Sequence, residues 1–161
     1  MRVGGTGRRV KYCTVRAHAV RKRRGLSRYT WRAMSKDSAR LVLVVEDDVS
    51  VRRPLVKFLE MHGFAVVTAE TSDEGLDALK KNRLVAAVVD LRLRRGSGRD
   101  VVMASPPDVP VIIFSGVPSE SAELERLRPR TRLIEKPYSL VLLVETLEEM
   151  LAESGSQNLH S

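Results

Sequence analysis

From residue 41 onward, short apolar runs alternate with stretches in which apolar residues recur every three or four positions. The runs at 41–45, 65–69, 84–89, 110–114 and 132–135 read as strands. The spacing between them predicts helices. In the first, Val51, Leu55 and Leu59 recur every four residues, with Pro54 near the first turn, where a missing N–H matters least. In the second, Thr71-Ser72-Asp73-Glu74 is a capping-box pattern opening a helix that carries Leu76 and Leu79 inward. The third is short. In the last, Leu140, Leu143, Val144, Leu147 and Leu151 form one stripe, opened by Ser139 and closed by Gly155. Strict strand–helix alternation, without an internal repeat, implies an α/β domain over 41–153: a five-stranded parallel sheet with helices on both faces. Residues 154–161 read as a short polar tail.

Residues 1–40 break the pattern. They show no sustained hydrophobic period, contain Gly4-Gly5 and the run Arg21-Lys22-Arg23-Arg24, and read as a disordered basic tail. They hold 13 of the 28 Lys and Arg and a single acid, Asp37, whereas residues 41–161 hold 15 basic residues against 19 acids. The overall charge of +8 therefore belongs to the tail, and the domain is mildly acidic. Tyr12, Tyr29 and Trp31 among these cations would suit nucleic-acid phosphates and bases. Against that, Met34, followed by Ser-Lys-Asp-Ser-Ala-Arg just before the first strand, reads as an alternative start that leaves residues 1–33 untranslated. Cys13 is the only cysteine, so no internal disulfide forms, and a reducing, cytoplasmic setting is expected. No run approaches the ~18 apolar residues of a membrane span, and no secretory signal opens the chain.

The chemistry gathers at strand ends. Glu46-Asp47-Asp48 follows the first run, Asp90 the third, Ser115-Gly116 the fourth and Lys136-Pro137 the fifth. The C-terminal edge of an open α/β sheet is where ligands bind, and carboxylates crowded there call for a hard divalent cation. Each feature has a plainer explanation. A lone Asp after a strand is commonly a turn residue or helix cap, Lys-Pro and Ser-Gly are turn signals, and Glu-Asp-Asp can complement a helix dipole.

Taken together, in type, order and spacing, these residues resemble the receiver domain of bacterial two-component response regulators, over roughly 41–153. The resemblance implies a flavodoxin-like sheet of order 2-1-3-4-5 and a stand-alone, chemotaxis-regulator-like protein. It would be a phosphoacceptor and no enzyme beyond self-catalysed phosphoryl transfer and hydrolysis. Asp90 would be the phosphorylated nucleophile. Mg²⁺ would be held by Asp47 and Asp90, by the backbone carbonyl of Arg92 and, through water, by Glu46. Lys136 and the Ser115 hydroxyl would meet phosphoryl oxygens, with the Gly116 amide alongside, and the bond before Pro137 would be cis. Implied partners are a sensor histidine kinase or histidine phosphotransfer protein and a downstream protein target, with no membrane. Three positions depart from the family: Arg94 where proline is frequent, Gly116 where alanine is, and Leu133 where an aromatic switch residue is usual. Two alternatives stay open. A haloacid-dehalogenase-type phosphohydrolase would need an Asp-x-Asp where Glu46-Asp47-Asp48 stands. A receiver-fold interaction module could act through a nucleic-acid-binding tail.

Overall fold

A computed structural model describes residues 40–115, 118–137 and 139–157, without the side chains of 115, 118–121 and 154–157. Nearly all of the basic tail, Gly116 and residues 158–161 lie outside the described residues, and so do the expectations that fall on them. The strands are β1 (Leu41–Val45), β2 (Ala65–Ala69), β3 (Ala86–Asp90), β4 (Val111–Ser115) and β5 (Thr131–Glu135). The helices are α1 (Val49–Met61), α2 (Ser72–Lys81), α3 (Gly98–Ala104), α4 (Pro118–Leu127) and α5 (Leu140–Gln157). The strands form one parallel sheet of order β2-β1-β3-β4-β5.

Strand periodicity divides the core into two layers. Val42 and Val44, Ala86 and Val88, Ile112 and Phe114, and Ile134 pack with Leu55 and Leu59 of α1 and Leu143, Val144, Leu147 and Met150 of α5. Leu43 and Val45, Ala87 and Val89, and Val111 and Ile113 face the other way, onto Ala78, Val101, Val102 and Leu124 of α2, α3 and α4. Fully burying a side chain of this size contributes about 1.5–3 kcal/mol, so both layers hold the strand register firmly. A one-residue slip would turn every strand inside out.

Several local expectations need correction. β3, β4 and β5 lie one or two residues from the predicted limits, so Asp90 and Ser115 end their strands rather than follow them. Pro54 sits in the second turn of α1, where its ring removes the amide that would have bonded the Ser50 carbonyl. Ser72, Gly75 and Ala78 form the buried line of α2, and Leu76 and Leu79 flank it half-buried. The side chain of Gly75 is missing where a Cβ would lie 2.9 Å from Val101, which lets α2 and α3 approach. α5 runs through Gly155 to Gln157. A glycine ends a helix when the backbone turns left-handed there; Gly63, at φ +84° after α1, does so to lead the chain into β2.

Candidate functional site

The period-two pattern that sorts the core also assembles the site. Glu46 is in phase with Val42 and Val44, Asp90 with Ala86 and Val88, and Lys136 with Ile134, all on the α1/α5 face of the sheet. Because Val45 pairs with Val89, Glu46 and Asp90 emerge side by side. Glu46, Asp47 and Asp90 each present a carboxylate oxygen, all within 4.8 Å of one another. Glu46 is 1% and Asp90 6% exposed.

The hydrogen bonds fix these groups individually. Lys136 Nζ lies 2.6 Å from Asp90 Oδ2 and 3.4 Å from Glu46 Oε2. The Arg92 amide donates to Asp90 Oδ1 at 3.0 Å, and the Asp48 amide to Glu46 Oε1 at 3.0 Å. The Lys136–Pro137 peptide is cis, as the resemblance implied. Asp48, though part of the acidic run, caps α1 instead: its Oδ1 accepts from the Ser50 amide at 2.8 Å and the Ser50 hydroxyl at 2.6 Å. Ser115 sits at the end of β4, paired with Glu135 in the β4–β5 register.

Electrostatics in the cluster are unbalanced, with three carboxylates facing one ammonium. Burial pushes the Glu46 carboxyl above its ordinary 4.5; the Asp48 amide and Lys136 pull it down, and Asp90 adds to the rise. For Lys136, burial works against the charge, but the hydrogen bond it donates to Asp90 and the charges of Asp90 and Glu46 outweigh it and lift the ammonium above 10.5. A clustered, all-oxygen donor set with excess negative charge could hold a hard divalent cation.

Two arginines that the sequence pattern did not single out as site residues also contribute. Arg52, on the first turn of α1, reaches the Glu46 carbonyl at 2.5 Å and Glu70 Oε1 at 2.5 Å. Arg94 places its Nε 2.9 Å from Asp47 Oδ2. Nothing in the apolar periodicity marks either residue; position near a strand-end acid in the sequence is the only available signal.

This edge of a β2-β1-β3-β4-β5 sheet is that of a response regulator receiver. The family model for the response regulator receiver domain matches residues 42–148, and the chain belongs to that family of two-component signalling domains. Among similar proteins, the regulatory protein VirG of Rhizobium rhizogenes is 39% identical over 84 residues, 51% of this chain and 35% of VirG. The acid tolerance regulatory protein ActR of Rhizobium meliloti is 40% identical over 78 residues, 47% of this chain and 40% of ActR. The CheY-like receiver domain protein of Methanospirillum hungatei superposes with a TM-score of 0.70 at 26% identity, covering 74% of this chain and 99% of that one. The chain thus matches one complete receiver, but little more than a third of the two curated relatives. No helix among the described residues is long and apolar enough to cross a membrane.

Proposed function

We propose that this chain is a phosphoacceptor of a two-component phosphorelay, taking a phosphoryl group on Asp90 from a histidine kinase or histidine phosphotransfer protein. The observation that carries this reading is the 2.6 Å contact of Lys136 with Asp90, inside a cluster of three carboxylates. A purely structural module has no use for a lysine held against a nearly buried carboxylate with two more acids beside it.

Asp90 acts as the nucleophile. One of its carboxylate oxygens forms a bond to phosphorus as the phosphorus–nitrogen bond of the donor phosphohistidine breaks; the imidazole leaves with the electron pair, and an acyl phosphate remains. The Arg92 amide holds Oδ1 and so keeps the carboxylate plane fixed. Lys136 begins on Oδ2, within reach of oxygens arriving on phosphorus, and its ammonium offsets the charge that gathers there. The Ser115 hydroxyl and the Gly116 amide would take the remaining phosphoryl oxygens. Asp47, Asp90 and the Arg92 carbonyl would hold Mg²⁺, with Glu46 beside them. When bound, Mg²⁺ supplies charge neutralisation to the transferring oxygens. The product is a signal, read by a downstream protein in the cytoplasm, and not a released metabolite.

Incubation with labelled acetyl phosphate and Mg²⁺ tests this. One hydroxylamine-labile label per chain is expected, abolished by Asp90→Asn and by chelation. Full labelling of the Asn variant would show that the phosphoryl group goes elsewhere.

A further inference from the structure

Arg94 is held against one of the three clustered acids. Its Nε lies 2.9 Å from Asp47 Oδ2; the Arg94 side chain is 80% exposed and that of Asp47 only 14%. The loop around it is pinned. The Arg92 amide bonds Asp90 Oδ1 at 3.0 Å, and the Arg95 carbonyl accepts the Ser72 amide at 3.3 Å. Gly96, at φ +79°, lies so close to α2 that a Cβ would fall 1.8 Å from Ser72 Oγ. With backbone anchors on both sides, the Arg94 side chain is the part free to move. It borders a cavity lined also by Glu70, Thr71, Glu74 and Arg95; Glu70 is paired there with Arg52 through Oε1 and Glu74 accepts the Glu70 amide through Oε2, and each has a second carboxylate oxygen to offer the guanidinium.

We propose that Arg94 is an intramolecular competitor of the divalent cation for Asp47, so that it sets how much free Mg²⁺ the receiver needs before it can be phosphorylated. This rests on the reading that the carboxylate cluster holds Mg²⁺. A carboxylate oxygen engaged by a guanidinium N–H is a poorer metal ligand, and a fixed positive charge beside the site repels a second cation. The guanidinium is mostly exposed, which keeps the pair weak, so it tunes affinity without blocking the site. Mg²⁺ binding displaces Arg94 toward Glu70 and Glu74.

The test is Mg²⁺ titration of the unphosphorylated full chain, followed by calorimetry and by the amide resonances of residues 46–48. Arg94→Gln should bind Mg²⁺ about fivefold more tightly than the wild type. Arg94→Lys, which keeps the charge, should stay within about twofold. Raising NaCl should narrow the gap between Arg94→Gln and wild type, because an exposed charge is screened. Arg94→Gln binding within twofold of wild type at low salt overturns the proposal while leaving the metal site intact. If none of the folded proteins binds Mg²⁺, the metal reading itself fails, and the proposal with it.

Discussion

Glu46 and Lys136 both have folded-state pKa values above their ordinary ones, and this sets how the metal-free protein responds to pH. For Glu46, whose buried carboxyl is raised above 4.5, the unfolded chain loses its proton first as pH rises. Between 4.5 and the raised value the folded state holds more protons, so stability falls as pH increases. A single proton contributes at most about 1.4 kcal/mol per pH unit. Urea unfolding in chelator should therefore show a decline just above pH 4.5 that Glu46→Gln flattens and saturating Mg²⁺ removes. An unchanged slope in the Gln variant would mean that the cluster does not strain Glu46. The Lys136 contribution has the same sign at higher pH: it is fully present below 10.5 and lost as pH rises through the raised value. Glu148 opposes both at the acid end. Its carboxyl is held low by the Arg40 hydrogen bond, so its contribution is lost as pH falls, though half-exposure and screening keep it small. Asp90 and Lys136 were legible in the sequence because each ends an apolar run. Arg52 and Arg94 were not, because their place depends on where a helix and a loop return the chain to the sheet edge.

At the scale of elements, the glycines separate what a turn needs from what the site needs. Gly98 opens α3 directly against β3: a Cβ there would lie 1.9 Å from the Asp90 carbonyl oxygen and 2.8 Å from the Leu91 Cα, both backbone. Gly63 has a left-handed φ of +84° but open space around it. Gly63→Ala should thus cost only about 1 kcal/mol, the strain of a left-handed alanine. Gly98→Ala should cost more than about 2 kcal/mol, because no side-chain rotation relieves a clash with backbone. It should also weaken Mg²⁺ binding in whatever fraction stays folded, since the end of β3 at Asp90 and the segment after it that carries Arg92 must move. Equal losses in chemical denaturation would contradict the packing argument. Strand and helix order were readable throughout, since the central strands β1 and β3 are buried on both faces and leave apolar runs, the edge strands leave less continuous ones, and the helices leave stripes. Ends were less so. Gly63 and Gly155 look alike in sequence, and only the need to enter β2 forces the first out of helix. The Ser72–Gly75–Ala78 line of α2 was missed because small buried residues carry almost no hydrophobic signal.

For the whole molecule, the open question is how a charge at Asp90 reaches a partner. Leu133 occupies the position where an aromatic switch residue is usual in the family, and it packs half-buried against the α2/α3/α4 layer, with no ring to rotate. What the structure offers instead is a set of polar tethers on α4. Glu125 accepts the Leu133 amide of β5 at 2.8 Å. Glu123 pairs with Arg99 of α3 at 3.1 Å. Arg128, just past α4 and 7% exposed, donates to the Val109 carbonyl at 2.9 Å, the Ser105 carbonyl at 3.2 Å and the Pro106 carbonyl. If phosphorylation draws in the Ser115–Gly116 loop at the head of α4, the helix cannot shift without disturbing β5, α3 and the loop before β4 together. Amide shifts on adding a phosphoryl mimic such as beryllofluoride should extend from residues 46–48 and 90–98 to 105–109 and 131–135. Val141 and Leu142 on α5 are exposed and available to a partner. Glu125→Ala, which frees the Leu133 amide without touching the phosphorylation site, should leave the shifts at 46–48 and 90–98 intact and reduce those in β5. Shifts confined to 46–48 and 90–98 in the unaltered protein would mean that the site is not coupled to this face, and that any partner reads Asp90 directly.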